Sequence, residues 1–401
     1  MKNDVLLQAF HWQSPETILH PGGRSWYQII KENTKRIKKS GFTMAWFPPV
    51  SDSTEKHGYE PRELNKYDSA YGSEEELKSA IKSIRPVGAI ADIVINHRSG
   101  KTNYSDFKNP DWPPNTIVSN DEYSGEKSIN TDSGEHAKFS RDLDHKNGIV
   151  SNGISAWMNG LKKDLGFKGW RYDFVKGYAP WANALYNART KPEFSVGEFF
   201  DYEVQPIVNW IDGSHDDPAY RSTAFDFPLR KALHEAITWR NYHHLKVHDK
   251  APGLLGIWSD KAVTFLENHD TEEVRQGQYV APFKDGDQML QGYAYLLTHP
   301  GIPCVFWKDI YDSNQYYEQA INQLIRLRQL YGIHSESKLF IDKAQQGAGY
   351  AAYIQGTKGE LAVKIGPEAW QPSGQKWNSS QHLLISGESF AVWGDRGWFK
   401  S

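Results

Sequence analysis

The chain has 401 residues, 39% hydrophobic and 24% charged, with a formal net charge of −3 at pH 7. That length suits one large catalytic unit plus a small accessory one. The near-neutral charge, with no dense Lys/Arg block, excludes a nucleic-acid partner held by phosphate neutralisation. The most apolar runs, such as Ala89–Ile95, are short and carry a charge at Asp92, so no membrane partner is expected.

Aromatic residues make up 13% of the chain, and many stand beside Gly, Asp or His rather than inside apolar runs. Core packing accounts for most of them, while some are candidates for flat platforms that stack on sugar rings. Cys304, the single cysteine, lies in the apolar run Ile302–Phe306. It cannot form an intramolecular disulfide and reads as a small buried side chain. Met1–Asp4 leads straight into the first apolar segment with no visible leader. The expectation is a secreted or periplasmic protein whose leader is absent from this sequence, with a cytoplasmic protein as the alternative.

In chain order, the expected strands are Val5–Phe10, Thr43–Phe47, Ile90–Val94, Gly169–Asp173, Ser195–Glu198, Ala224–Phe227, Ala262–Leu266 and Ile302–Phe306. Between them, helical patterns cover Trp26–Lys39, Ser73–Arg85, Ile154–Leu165, Leu229–Trp239, Met289–Leu297 and Tyr317–Tyr331. Ser73-Glu74-Glu75-Glu76 is a capping-box pattern, and Leu77, Ile81 and Ile84 then recur at helical spacing. This alternation predicts an α/β fold, a parallel (β/α)8 TIM barrel. The first strand ends in Phe10-His11-Trp12-Gln13-Ser14, which is no phosphate cradle and argues against an open nucleotide-binding sheet. Residues 98–141 are polar and aperiodic, an excursion after the third strand. From residue 337 to 401 short alternating segments separated by Gly and Pro predict a C-terminal antiparallel β-sheet domain. The barrel is thus expected over 1–97 and 142–336.

Catalytic groups of a parallel barrel sit where its strands end. Those ends carry Asn96 and His97, then Arg171 and Asp173, then Glu198, then Asn268, His269 and Asp270. Any one of these reads equally well as a buried paired acid or a solvated loop charge. Together they place three carboxylates, two imidazoles and a guanidinium on one rim. Glycosidic cleavage uses such a set: a protonated carboxyl group for the leaving oxygen, an ionised one to attack or activate water, and a further charge to stabilise the cationic transition state. An adjacent Arg keeps the attacking group ionised.

Four segments carry a family resemblance: Ala91-Asp92-Ile93-Val94-Ile95-Asn96-His97-Arg98, the stretch Gly169–Tyr178, Val196-Gly197-Glu198-Phe199, and Phe265-Leu266-Glu267-Asn268-His269-Asp270. In this order they resemble the signature regions of the α-amylase family, glycoside hydrolase family 13. Phe47-Pro48-Pro49-Val50-Ser51, Gly58-Tyr59-Glu60-Pro61 and Thr298–Cys304 extend the similarity toward plant-type α-amylases. The resemblance implies a retaining hydrolase of α-1,4-glucan, acting as a monomer on polysaccharide or oligosaccharide. Asp173 would be the nucleophile, Glu198 the acid and then base, and Asp270 the transition-state stabiliser. Tyr59, His97, Arg171, Lys176, Phe200 and His269 would form the substrate-binding set, with Arg171 holding Asp173 and supported by Asp92. The family usually holds calcium between barrel and excursion. Here the resemblance implies one structural calcium on the side chains of Asn96, Asp132 and Asp142 and the carbonyls of Ser140 and Gly177. His136 stands where plant-type relatives carry an acid for further ions. Phe200 replaces a Trp after the acid, and Ile257-Trp258 stands where cereal enzymes carry a Trp pair. The Trp residues of the tail, 370, 377, 393 and 398, are expected mostly to pack the β domain. Exo action, transglycosylation and a non-catalytic glucan-binding barrel stay open as alternatives to endo hydrolysis.

Overall fold

Leu6–Gln8 (β1), Met44–Trp46 (β2), Gly88–Ile93 (β3), Gly169–Tyr172 (β4), Phe194–Gly197 (β5), Thr223–Phe225 (β6), Ala262–Phe265 (β7) and Ile302–Phe306 (β8) close into a parallel barrel. The computed structural model describes residues 3–102, 104–132, 134–273, 282–283, 285–377 and 382–395. Leu6 lies opposite Cys304 on one side and Met44 on the other, so the first and last strands pair directly and leave no edge. Nearly every strand residue is buried, the pattern of strands covered by helices outside and by stacked side chains inside. Cys304 on β8 is among them, and burial pushes its thiol up, away from reactivity.

Helices Pro180–Thr190 and Val204–Gly213 were not among those expected, and two expected ones differ in extent. Trp26–Lys39 is two helices, Trp26–Glu32 and Thr34–Ser40, divided at Asn33. The Asn33 amide donates to the Ile29 carbonyl at 2.9 Å, the local bond by which Asn competes with helix continuation. The pattern expected from Ile154 begins earlier, as Gly148–Gly160 capped by Asn147, and winds on as a π-helix over Leu161–Leu165. The Ser73/Glu76 capping box forms at the start of Glu74–Ile84.

The stretch after β3 leaves and returns through an antiparallel pair, His97–Arg98 with Arg141–Asp142. It is organised around Arg98, fully buried, which donates to the carbonyls of Arg62, Lys108 and Pro110 and lies 4.7 Å above the Trp112 ring. Lys338–Gln345 (β9), Gly349–Gln355 (β10), Glu360–Ile365 (β11), Leu383–Ser386 (β12) and Phe390–Gly394 (β13) form an antiparallel sheet in the order β9-β10-β11-β13-β12. It is keyed to the barrel by His299 Nε2 and the Tyr350 hydroxyl, 2.7 Å apart in the interior. The tail aromatics do not all pack as core. Trp377 is buried, but Trp370 and Trp393 are half-exposed and meet edge to face at 5.6 Å, while Trp398 lies outside the described residues. Alternation explains this: Phe340, Tyr353, Ala362 and Trp393 share one register row on the sheet face away from Ile341, Ile354 and Val363. Among the described residues no helix is long and apolar enough to cross a membrane.

Candidate active site

The ends of β3, β4, β5 and β7 converge on a cleft of about 550 Å³ lined by Trp12, Tyr59, His97, Glu135, Phe139, Asp173, Phe174, Lys176, Glu198, Phe200, His269 and Asp270. Local sequence sets each approach. Gly197 brings Glu198 in close, because a Cβ at that position would lie 2.1 Å from the Trp210 ring. Phe174, directly after Asp173, adopts a left-handed backbone (φ 43°), and its N–H donates to Glu198 Oε2 at 3.2 Å. A bulky residue held in that region marks a site whose surroundings impose the conformation.

Arg171 is the hub. It is 1% exposed and donates from Nη1 to Asp92 at 2.8 Å and to Asp173 at 2.7 Å. Its contact with Glu198 is an ion pair from Nη2 at 2.9 Å. Its guanidinium lies 4.9 Å over the Trp46 ring, and Trp46 in turn donates to Asp92 at 3.0 Å. Arg171 therefore stands behind the carboxylates rather than on the cleft wall where substrate would touch it.

One guanidinium faces three buried carboxylates, so the cluster cannot be fully ionised without cost. Burial pushes Glu198 well above the usual carboxylate range; Arg171 pulls it back, and Asp173 and Asp270 push it up again. Burial also raises Asp173 and Asp92, and Arg171 opposes this with its hydrogen bonds as well as its charge. The Arg171–Glu198 contact and the raised Glu198 pull in opposite directions. We assign the retained proton to Glu198, because Arg171's directed hydrogen bonds go to the two aspartates. Asp270, a quarter exposed, faces the cleft with Oδ2 3.2 Å from His269 Nε2.

The remaining expected residues fall around these acids. His269 takes a 3.0 Å bond from Gln8 at Nδ1 and reaches the Tyr59 hydroxyl at 2.7 Å through Nε2, its ring nearly parallel to that of Tyr59 at 5.3 Å. With Gln8 donating, the ring proton sits on Nε2, toward the cleft. His97 donates from Nε2 to the Tyr59 carbonyl at 2.8 Å and lies 3.3 Å from the Asn96 amide at Nδ1. Burial lowers it to about 4, so it is neutral. Lys176 pairs with Glu135 at 3.0 Å and with Asp201 at 3.5 Å. Phe200 packs on Phe227 with centroids 4.4 Å apart. Sequence reasoning missed four lining residues, of which Phe174 stands directly after Asp173. Trp12 stacks on His57 at 4.0 Å and runs parallel to Tyr59, and its place at the end of β1 was the available signal. Glu135 and Phe139 come from the aperiodic excursion, where spacing gives no signal; Phe139 sets its edge on His97 at 4.9 Å.

The expected metal residues gather less evenly. Asn96 and Asp142 meet at 3.0 Å through the amide nitrogen, while Asn96 Oδ1 is buried without a partner. Gly177 packs on that amide so closely that a Cβ would sit 2.1 Å from Oδ1. Burial pushes Asp142 up to about 6, with Asp132 and Glu122 adding to the rise. An orphaned acceptor beside an under-compensated carboxylate fits a cation. Asp132 accepts from the Gly134 N–H at 3.3 Å. Among His and carboxylate groups, Asp142 gathers with Glu122 and His136, and Glu122 was not anticipated.

Residues 27–193 match the α-amylase catalytic domain and residues 331–394 the α-amylase C-terminal β-sheet domain. Over 413 residues the chain is 35% identical to a probable α-amylase 2 of Arabidopsis thaliana, covering 97% of this chain and 94% of that protein. The chain belongs to the α-amylase family. As a member it is a glycoside hydrolase. The chain is also 33% identical to the chloroplastic α-amylase 3 of Arabidopsis, covering 97% of this chain and 44% of that longer protein. The α-amylase of Geobacillus thermoleovorans, solved in complex with acarbose, superposes with a TM-score of 0.71 at 15% identity over 98% of both chains, which speaks to fold. The α-amylase frame makes the convergence of Asp173, Glu198 and Asp270 the natural place for chemistry.

Proposed function

We propose that this α-amylase-family enzyme cleaves internal α-1,4-glucosidic bonds of starch-type glucans with retention of anomeric configuration. The observation that carries the reading is the fork of Arg171, hydrogen-bonded to Asp173 and 2.9 Å from Glu198 Oε2, at the floor of a cleft that Asp270 also faces. Asp173, held ionised by Arg171, attacks the anomeric carbon while Glu198 gives its proton to the departing glycosidic oxygen. The glycosyl ester on Asp173 is then displaced by water, whose proton returns to Glu198. Asp270 stabilises the positive charge that develops on the sugar ring in both steps. Tyr59, His97 and His269 hold the sugar being cleaved. Lys176 and Phe200 meet the chain on the leaving-group side. Aromatic groups on both sides of the acids, Trp12 and Tyr59 toward His269 and Phe200 toward Lys176, support a glucan running through the cleft, hence endo attack.

One structural calcium belongs to this reading, with Asn96, Asp132 and Asp142 and the carbonyls of Ser140 and Gly177 as its holders. When bound, it supplies charge that braces residues 98–141 against the barrel, 1–97 and 142–336, and no catalytic step.

Digestion of long amylose, with iodine colour followed against reducing ends, tests the reading. We expect colour to vanish while few reducing ends have formed. Colour lost in proportion to reducing ends means exo action, and products with new linkages mean transglycosylation. No product at all would mean a barrel that only binds.

A further inference from the structure

Lys176 sits between two walls of the cleft. Its Nζ lies 3.0 Å from Glu135 Oε1 on the excursion. Toward the loop after β5 it donates to the Phe200 carbonyl at 3.4 Å and to Asp201 Oδ2 at 3.5 Å. An ammonium has three N–H donors, and these contacts engage all of them. Glu135 is set in place by its backbone, whose N–H donates to the Lys176 carbonyl at 2.9 Å. Gly134 permits that approach, because a Cβ there would fall 2.2 Å from the Gly177 backbone. The excursion is thereby seated on the turn Val175–Gly177, which begins two residues after Asp173.

The Glu135 carboxylate lines the cleft and is 56% exposed, and Lys176 is its one partner among the described residues. An ion pair this open to water adds little to stability. It does fix an acceptor: with Oε1 on Lys176, Oε2 remains to take a charge-assisted bond from a hydroxyl. A bound sugar needs an apolar surface for its ring face and polar groups for its rim. Phe200 supplies the first, and Glu135, across Lys176 from it, supplies the second. We propose that Glu135 is a specificity-determining residue that accepts a glucose hydroxyl on the leaving-group side, so that the excursion itself contacts the glucan. The inference rests on the reading that Lys176 and Phe200 meet that side of the chain.

The test compares two substrates of the full-length enzyme. Maltohexaose places glucose on both sides of the cleaved bond, whereas α-maltosyl fluoride has only fluoride on the leaving side. Glu135→Ala should lower kcat/KM about tenfold on maltohexaose and less than about threefold on the fluoride. Glu135→Gln, which keeps an oxygen acceptor, should recover part of the loss. A Glu135 that only held Lys176 in place would cost nothing to remove from a Lys176→Met background; we expect its removal there still to cost about threefold or more on maltohexaose. Equal losses on both substrates in Glu135→Ala, or no further loss in the Lys176→Met background, overturn the inference. Lys176→Met alone checks the underlying reading and should also lose more on maltohexaose than on the fluoride. Equal losses in that variant overturn the reading and the inference with it. A selective loss in Lys176→Met with none in Glu135→Ala overturns the inference alone.

Discussion

Replacing Glu198 with Gln is expected to lower turnover on starch by about 10³-fold while leaving glucan binding intact. Gln keeps the shape and the bond from the Phe174 N–H but has no proton to give. The same substitution should stabilise the fold, with a definite pH dependence. In the folded protein burial raises Glu198 from the usual 4.5 to about 8. Between those values the unfolded chain has released a proton that the folded chain still holds. Stability therefore falls as pH rises through that window. Glu198→Gln removes the loss, so its advantage in thermal unfolding should be small at pH 5 and grow to about 2 kcal/mol by pH 8. Unfolding scans at several pH values read this directly. A variant less stable than the parent at pH 8 would show that Glu198 is not carrying the retained proton.

Arg171→Met should cost about 3–5 kcal/mol of stability at neutral pH, because it leaves Asp92, Asp173 and Glu198 without their shared cation in a dry interior. Activity should fall with it, since Asp173 would no longer be held ionised. The sign of the pH effect is opposite to ordinary acid denaturation. Without Arg171 the carboxylates rise further, so protonation relieves the repulsion and the gap to the parent narrows as pH falls through about 8 to 6, where the parent's own carboxylates take up protons. Denaturant unfolding at pH 7 and pH 5 measures both. A cost under about 1 kcal/mol at pH 7 would mean that the cluster does not depend on this guanidinium.

Much of this arrangement is legible in the sequence, because a parallel barrel places its chemistry at strand ends and those ends carry unusual residues. Asp173, Glu198 and Asp270 follow β4, β5 and β7 and meet in one cleft. Arg171 was legible as a partner of Asp173 but not as a buried hub, since a sequence does not say which side of a carboxylate its partner occupies. The break at Asn33 was hidden because apolar spacing continues across it, while the bond that divides the helix is a single side-chain contact. Glu122, Glu135 and Phe139 come from the excursion, whose course is set by contacts around Arg98 rather than by periodicity. In the C-terminal sheet, residue type alone put most of the tryptophans inside; two-residue alternation puts Trp393 on the face away from Val363.

The central claim is that Asp173 bonds covalently to the sugar while Glu198 manages the proton. An α-maltosyl fluoride tests both at once on Glu198→Gln, because fluoride departs without an acid but the next step still needs the base. We expect a maltosyl ester to accumulate and peptide mass mapping to place it on the fragment containing Asp173. A label on another residue, or no label with product of inverted configuration, would contradict the account.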